Sequence, residues 1–503
     1  MCTCLLSPNA LAAVPSNNET IYLPLLMRSS DSHLLAGDWT FAGLLPDRPL
    51  FDFVFRPLAA TRSWALAGWT GRLLGWMAVA AALVWLLSVL GFRQPWVAMA
   101  VGVGALANQL SPIAGEWVAG TFESKVFAYA ALFAMLAALG RERWLIAGLL
   151  GGATFSLHNV VGLWSVFTLL VVVAVLRPRK SSVFHAFFGL VVGLLPGLVA
   201  MTRYLTNGGD TSVADLRIVT RHVLSFHMDP FTFARRDYLL LGSLAGASIV
   251  YDVIAHRDGD VMAASTAAGW RVFRTAEIVS GCVFLGGILA RWVGLDSVLL
   301  AMPFRLAGVL IPVGAILRAG AACGAVVRWR ETRRVRVATF ALVANASVVF
   351  AVLCAVWFTG GQSLRERVDS GFFAADTARD DTARALLWSR THLPPDAVVA
   401  VSPGHKGVFA ELRRPTVASF YTVRFDAISQ WRARVEDLSG VSLASGVGYA
   451  LTGKLDEGYA NRPIVAVRTW GRSYGVTHVV TTASYPLREL LRVGAVHVYE
   501  LGG

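Results

Sequence analysis

WLIAGLLGGATFSLHNVVGLWSVFTLLVVVAVLRPRKSSVFHAFFGLVVGLLPGLVAM, residues 144–201, is the stretch that decides the fold of this chain. It contains apolar runs at 144–158, 160–176 and 183–201, and a short basic cluster at 177–180 separates the last two runs. A helix crosses the ~30 Å hydrocarbon core of a membrane with about 20 apolar residues. The stretch therefore predicts membrane-spanning helices joined by very short loops.

Further apolar runs extend from this stretch toward both ends of the chain. They lie at 69–91, 96–110, 126–139, 239–256, 272–293, 299–327 and 337–358. Of the 503 residues, 55% are hydrophobic and 15% are charged, and the mean hydropathy is +0.57. A soluble domain has about a quarter of its residues charged. We therefore expect a multi-spanning α-helical protein of the cell membrane, with about ten or eleven transmembrane helices over residues 1–360.

The basic residues predict how these helices are oriented. Arginines are concentrated at 328–336, and short cytoplasmic loops are typically basic. If this loop is cytoplasmic and each run crosses once, the other basic loops (91–95, 140–143, 177–182 and 257–271) are cytoplasmic too. Residues 15–63, 111–125, 202–238 and those after 359 are then extracytoplasmic. This placement of the +13 net charge argues against a nucleic-acid partner. Residues 1–14 are apolar but too short to span, so a first span is expected to be missing.

Residues 361–503 have the composition of a small soluble α/β domain on the extracytoplasmic side. Helical periodicity at 376–391 predicts a helix there. Short apolar runs predict strands at 397–402, 415–420, 463–467, 477–482 and 496–501. The segment contains no glycine-rich phosphate loop, metal-ligand spacing or catalytic triad, so we expect a lid or recognition domain.

The first extracytoplasmic loop, residues 15–63, carries the first candidate site residues. Glu19 and Tyr22 begin an apolar stretch that fits a helix lying along the membrane interface. Partial burial there would raise the pKa of a carboxyl group and suit it to act as a general base. A simple charge at a helix N-terminus is the alternative. Gly37-Asp38-Trp39 and Arg48-Pro49-Leu50 follow in the same loop.

These elements resemble the first luminal loop of the C-type (GT-C) membrane glycosyltransferases, in particular the branch of protein O-mannosyltransferases and aminoarabinose transferases. The family's acidic pair is reduced here to Asn18-Glu19. The segment 115–136, with Glu116 and Glu123, resembles the family's next luminal segment. Residues 147–164 resemble its glycine-rich span, and His158-Asn159 stands where relatives often have lysine. The likeness is strongest to an uncharacterised group of such proteins.

The resemblance implies transfer of a sugar from a polyprenyl-phosphate donor to a protein, lipid or glycan acceptor of the cell envelope, with inversion. Glu19 or Asp38 would serve as the base. The remaining candidates would bind substrate: Tyr22, Trp39, Glu116, Glu123, Lys125, His158, Asn159 and Arg305. Lys125, His158 and Arg305 are the candidates for stabilising the leaving phosphate.

Alternatives stay open for several of these residues. His158 also fits a hydrogen-bonded structural residue at a helix end. Arg305, a few residues inside an apolar run, also fits snorkelling or a structural ion pair. Glu116 and Glu123 are compatible with a divalent cation, or Glu123 with an ion pair to Lys125. No cofactor is predicted. At the level of function, the alternatives are a non-catalytic GT-C-like protein and a lipid or solute transporter, although no internal repeat is visible.

Overall fold

Long helices make up the first part of the chain in the computed structural model, which describes residues 14–42, 48–92, 113–207, 211–257, 264–332 and 380–502. In chain order these helices are α1 (Glu19–Arg28), α2 (Trp39–Ala42), α3 (Pro49–Ala60), α4 (Trp64–Val89), α5 (Ser124–Gly140), α6 (Trp144–Leu157), α7 (Asn159–Leu176), α8 (Lys180–Asn207), α9 (Val213–Ile218), α10 (Ser225–Met228), α11 (Arg235–Arg257), α12 (Ala264–Val293), α13 (Asp296–Leu299) and α14 (Arg305–Thr332).

Six helices in the described ranges are long and apolar enough to cross a membrane, judged by length and composition. Their apolar segments are Trp64–Val89, Asn159–Leu176, Lys180–Thr202, Arg235–Ile254, Thr266–Val293 and Arg305–Ala322. Two shorter apolar helices, α5 and α6, match the predicted runs at 126–139 and 144–158. The predicted runs at 96–110 and 337–358 lie outside the described residues. The run expected at 299–327 divides into α13 and α14.

Local sequence signals explain where several helices begin and end. The Ser63 hydroxyl accepts a hydrogen bond from the Leu66 N–H at 3.3 Å and caps the start of α4. Arg177 ends α7 in the left-handed conformation, with φ 48°, and Pro178 follows it. The RPRK cluster therefore forms a tight connection, after which α8 begins at Lys180.

The core of the helical part is centred on α5. All of its side chains except Phe127 and Ala134 are buried, among residues of α4, α6, α7, α12 and α14. Helices α6 and α8 pack with their backbones in close contact. A Cβ atom on Gly148 or Gly152 would overlap carbonyl oxygens of α8, so glycine is required at both positions.

The C-terminal part is a small α/β unit, as the sequence predicts. Its helices are α15 (Asp381–His392), α16 (Val408–Leu412), α17 (Ile428–Ser439), α18 (Ala450–Ala460) and α19 (Ile464–Tyr474), and its strands are β1 (Val399–Ala400), β2 (His478–Thr481), β3 (Arg488–Val493) and β4 (Val496–Glu500). The strand order is β1-β2-β4-β3, in which β1 and β2 are parallel and the other pairs antiparallel. The strands expected at 477–482 and 496–501 are confirmed, and β3 was not predicted. Of the expected helix 376–391, residues 376–379 lie outside the described residues.

Two predicted strands are wrong. Residues 463–467 begin α19, whose buried residues Val467 and Trp470 are three apart, which is helical spacing. Residues 415–420 are extended, but they form only one isolated bridge, between Thr416 and Val399. The Thr416 N–H instead donates to the Asp38 carboxylate at 2.8 Å. This segment therefore connects the two parts of the chain rather than extending the sheet.

Candidate active site

Glu19 begins α1 and its carboxylate is completely buried. Its Oε1 accepts hydrogen bonds from Arg72 Nε and the Phe122 N–H, both at 2.7 Å. Its Oε2 accepts from Arg72 Nη2 at 2.5 Å and from the Ser16 N–H at 3.0 Å. Four donors occupy the two oxygens, which matches the usual acceptor capacity of a carboxylate. In this arrangement Glu19 joins α1, α4 and the segment before α5.

Asp38 and Trp39 contact the C-terminal part. The Asp38 carboxylate is buried and accepts the Phe41 N–H at 3.1 Å, in addition to that of Thr416. Burial raises the pKa of Asp38 to about 6, although these backbone donors oppose the rise. The guanidinium groups of Arg424 and Arg434 lie 4.5 and 4.2 Å from the centroid of the Trp39 ring. The Gly-Asp-Trp motif therefore holds the first loop against the C-terminal part.

Tyr22 lies in α1 beside Arg48, the residue before α3. The Arg48 guanidinium is 4.5 Å from the centroid of the Tyr22 ring and donates to the Tyr22 carbonyl at 3.1 Å. Arg48 is itself buried. The third loop motif, Arg48-Pro49-Leu50, therefore ties α3 to α1.

Four candidate residues form a buried charged cluster, which we define as Glu116, Glu123, Lys125 and Arg305. The first three are close in the sequence, and folding brings Arg305 to them. Lys125 Nζ lies 3.7 Å from Glu116 Oε1 and 3.5 Å from Glu123 Oε2. Arg305 Nε lies 3.1 Å from Glu116 Oε2. Lys125 is in the first turn of α5 and Arg305 is the first residue of α14. The cluster therefore lies where these two central helices begin.

The two glutamates of the charged cluster differ in their hydrogen bonds. Glu123 accepts from Asn18 Nδ2 at 3.2 Å and from the Thr121 hydroxyl. Glu116 is fully buried, pairs with Lys125 and Arg305, and has the Tyr129 hydroxyl beside it. None of these contacts has the geometry of a full hydrogen bond to either carboxylate oxygen. Native proteins seldom leave a buried polar atom unpaired, and such atoms often mark a binding or catalytic position. Glu116 is thus the carboxylate with acceptor capacity remaining.

Two histidines lie near the charged cluster. His158 Nδ1 accepts a hydrogen bond from the Val161 N–H at 3.4 Å and caps α7, which is the structural role left open by the sequence. His227 Nδ1 lies 2.5 Å from the Ala114 carbonyl oxygen. Burial lowers the pKa of His227 well below its usual value, and the charge of Arg305 lowers it further. A neutral ring that donates from Nδ1 keeps Nε2 as an acceptor. Asn159 begins α7 and accepts the Val160 N–H.

Aromatic side chains from both parts of the chain meet beside the charged cluster. The rings of Phe226 and Tyr449 stack with their centroids 4.3 Å apart, and Tyr421 lies 6.2 Å from Tyr449. Burial, together with the charges of Tyr421 and Glu123, raises the pKa of Tyr449 to about 12. The Gly448 N–H donates to the His222 carbonyl and holds this loop in place. The C-terminal part therefore contributes a wall to the site.

Sequence reasoning missed charged residues inside the apolar helices. Arg72, which pairs with Glu19, is the one charged residue of α4, and its isolation in an apolar run was the available signal. A second ion-pair network lies farther from the charged cluster. There, Arg318 of α14 binds Asp252 and Glu277 at 2.8 and 2.7 Å, and Arg274 binds Asp252 at 2.8 Å.

The donor atoms of the site define what it can hold. Within the described ranges, no group of three or more His, Cys, Asp or Glu side chains is placed to hold a metal ion. The charged cluster offers two cations for an anionic group and one carboxylate for a proton. Comparison with protein-family models and with curated proteins finds no match to this chain. The case for function therefore rests on these residues.

Proposed function

We propose that this chain is an integral membrane glycosyltransferase that transfers a sugar from a polyprenyl-phosphate donor to an extracytoplasmic acceptor, with inversion. The observation that carries the proposal is the charged cluster at the start of α5 and α14, in which the buried Glu116 pairs with the cations Lys125 and Arg305. The two buried cations, Lys125 and Arg305, suit a lipid phosphate. The stacked rings of Phe226 and Tyr449 suit a sugar ring. The resemblance of the loop motifs to GT-C enzymes agrees with this assignment.

Glu116 is our choice of general base, in preference to Glu19 or Asp38. The resemblance implied one of the latter two. A base must accept the proton of the acceptor hydroxyl, which requires an oxygen that is not already saturated. All four acceptor positions of Glu19 are used. The two oxygens of Asp38 keep acceptor capacity, but they are fixed by backbone N–H groups of the first loop and of the C-terminal part. We assign positioning roles to both of these residues.

The proposed reaction is a direct displacement. The acceptor oxygen forms a bond to the anomeric carbon as the bond from that carbon to the phosphate oxygen breaks. Glu116 takes the hydroxyl proton, and polyprenyl phosphate leaves with the bonding electrons. Lys125 and Arg305 release Glu116 and pair with the phosphate, which offsets its charge in the transition state. Glu123 holds Lys125 in place through the 3.5 Å ion pair.

The test is sugar transfer in membranes that contain the full-length protein. A panel of labelled polyprenyl-phosphate sugars is supplied, and label in endogenous acceptors is measured for wild type, Glu116→Gln and a matched control, Glu142→Gln. Glu142 is an exposed residue of the loop between α5 and α6. We expect Glu116→Gln to lower transfer by about 10²–10⁴-fold and Glu142→Gln to leave it unchanged.

Two other results would change the proposal. Full activity of Glu116→Gln, at normal protein level, would remove Glu116 as the base and return Glu19 and Asp38 to consideration. No transfer above membranes lacking the protein, with any donor, would contradict the enzyme itself. A non-catalytic GT-C-like protein would then be the better assignment, and the saturated carboxylate of Glu19 supports that alternative.

A transporter is the second candidate function, because of the ion-pair network within the apolar helices. Glu277 lies near the middle of α12 and binds Arg318 of α14 at 2.7 Å. Ionisable groups within apolar helices commonly mark transport pathways. A transporter predicts solute or lipid movement that Arg318→Gln abolishes, together with no transfer of label to acceptors.

A further inference from the structure

Buried polar atoms without a full hydrogen bond are concentrated around the charged cluster. Among the described residues, they include both carboxylate oxygens of Glu116, Arg305 Nε, Trp117 Nε1 and the Tyr129 hydroxyl. Tyr129 is completely buried in the core of the helical part. Such atoms are few in a native protein, and each requires an explanation. The proposed reaction gives roles to Glu116 and Arg305, but it leaves the Tyr129 hydroxyl without one.

The position of Tyr129 in α5 aims its hydroxyl at the charged cluster. Tyr129 follows Lys125 by four residues, so the two side chains lie on one face of the helix, about 6 Å apart along its axis. Lys125 Nζ lies 3.7 Å from Glu116 Oε1, and the Tyr129 hydroxyl lies beside the same carboxylate. Lys125 is in the first turn of α5, and Tyr129 is one turn farther into the helix. Tyr129 therefore approaches Glu116 from the interior of the protein.

The two glutamates of the charged cluster differ in the donors that remain when the two cations move to the phosphate. Glu123 keeps the Thr121 hydroxyl and the Asn18 amide as donors. Glu116 keeps the Tyr129 hydroxyl beside it. A buried carboxylate without a partner is strongly disfavoured in its charged form. During the proposed reaction, the ionised state of Glu116 therefore depends on Tyr129.

We propose that Tyr129 is a positioning residue of the transfer reaction, and that its hydroxyl donates to Glu116 once Lys125 and Arg305 pair with the phosphate. This role rests on the proposed function, in which Glu116 is the base. A phenol is uncharged, so it is not drawn to the phosphate as the two cations are. The hydroxyl stabilises the carboxylate until the proton of the acceptor arrives, and it fixes the direction in which the carboxylate points.

The experiment measures sugar transfer by the full-length protein in membranes from pH 4 to pH 9, with the labelled polyprenyl-phosphate sugars named above. Wild type, Tyr129→Phe and the control Tyr459→Phe are compared at equal protein level. Tyr459 of α18 is also buried, and its hydroxyl donates to the Ala400 carbonyl at 2.9 Å in the core of the C-terminal part.

The expected result concerns the acid limb of the pH–rate profile, the low-pH side on which transfer falls as Glu116 gains a proton. Loss of a donor favours the protonated carboxyl group. Tyr129→Phe should therefore move the acid limb up by about 1–2 pH units and lower transfer on that limb by about 10–100-fold. Tyr459→Phe should leave the acid limb in place.

Other titratable groups lie near the two cations of the cluster, namely Glu123, His158 and His227. All three proteins contain them, so their titration is common to the three profiles. The difference between wild type and Tyr129→Phe therefore reports on the Tyr129 hydroxyl.

Thermal unfolding in detergent separates positioning from a structural role. The Tyr129 hydroxyl makes no full hydrogen bond to the described residues, so its removal should not lower the melting temperature. Tyr459→Phe removes a hydrogen bond to a buried carbonyl and should lower the melting temperature by a few degrees.

Three results would overturn the role of Tyr129. An acid limb that does not move in Tyr129→Phe, with transfer unchanged or reduced equally at every pH, would do so and leave the proposed function standing. A melting temperature of Tyr129→Phe well below that of wild type would make the hydroxyl structural. No transfer by wild type with any donor would contradict the proposed function itself, and the role of Tyr129 with it.

Discussion

Glu19, Asp38 and Glu116 are all buried, but their carboxylates have different hydrogen-bond surroundings. Glu19 is neutralised by Arg72 and saturated by four donors, whereas Asp38 accepts two backbone N–H groups from residues 378 and three positions away. Glu116 has ion pairs with Lys125 and Arg305 and the Tyr129 hydroxyl beside it, but no backbone N–H donor within the described ranges. The sequence identified all three as candidates. The resemblance favoured Glu19 or Asp38 as the base. The hydrogen-bond surroundings that lead us to propose Glu116 instead depend on donors that folding brings from elsewhere in the chain.

The raised pKa of Asp38 predicts a pH-dependent stability. Its pKa in the folded protein is about 6, above the ordinary 3.8, so the folded state disfavours the charged form. Between about pH 4 and pH 6 the folded state binds the extra proton, and stability falls as pH rises through this window. The loss approaches about 3 kcal/mol for a shift of this size. Thermal unfolding from pH 4 to pH 8 measures it.

Asp38→Asn is the control for that measurement. Its side chain does not titrate, so the variant should lose this part of the pH dependence and gain stability relative to wild type as pH rises. The Asn amide has only one oxygen to accept the Thr416 N–H. The stability of the variant is therefore also expected to differ from that of wild type by an amount that is the same at every pH. A difference between the two proteins that does not change from pH 4 to pH 8 would contradict the assignment.

At the scale of elements, the contact between α6 and α8 depends on glycine more than on apolar volume. Gly148 and Gly152 face carbonyl oxygens of α8, and Gly189 and Gly193 face α6 in return. These four glycines are visible in the apolar stretch 144–201, but the sequence does not show which backbone each of them meets. The apolar runs predicted eight helices correctly within the described residues, because runs of about 14 residues or more exceed the length of most strands. It failed for residues 463–467, where five apolar residues in a row fit a strand or a helix equally.

Gly152→Val should weaken this helix contact. Its side chain would overlap the Leu190 carbonyl, so the helices must separate, at a cost of about 1–3 kcal/mol. Gly242→Val is the matched control, because a Cβ on Gly242 of α11 meets no neighbouring atom. The apparent melting temperature in detergent should fall for Gly152→Val and change little for Gly242→Val. Equal effects of the two variants would show that the close contact does not contribute to stability.

At the scale of the whole molecule, the sequence predicted an apolar helical part followed by an α/β part, but not how they join. The join is made by polar contacts between residues far apart in the chain, such as Lys406 Nζ with Asn17 Oδ1 at 2.6 Å, and by aromatic contacts, such as Phe41 with Phe409 at 4.6 Å between ring centroids. Single polar residues in loops give no pattern from which such pairs can be read. The basic loops did supply an orientation, which remains a prediction of topology.

Labelling of introduced cysteines tests that topology. In a background without native cysteines, Arg472→Cys places a thiol on an exposed site of α19, and Lys180→Cys places one at the exposed start of α8. On intact cells, a membrane-impermeant maleimide should label Arg472→Cys. Lys180→Cys should react only after permeabilisation. Labelling of both positions from outside would contradict the predicted orientation.

The hydrogen bond between Asp38 and Thr416 also has a consequence for biosynthesis. The two residues are 378 positions apart, so the first loop is synthesised long before its partner exists. At ribosomal rates of about 5–20 residues per second, that interval is about 20–75 s. Throughout it, the Asp38 carboxylate lacks its Thr416 donor and the Trp39 ring lacks Arg424 and Arg434. A nascent chain of this protein therefore presents an unfinished N-terminal loop to chaperones and proteases until its last hundred residues have emerged.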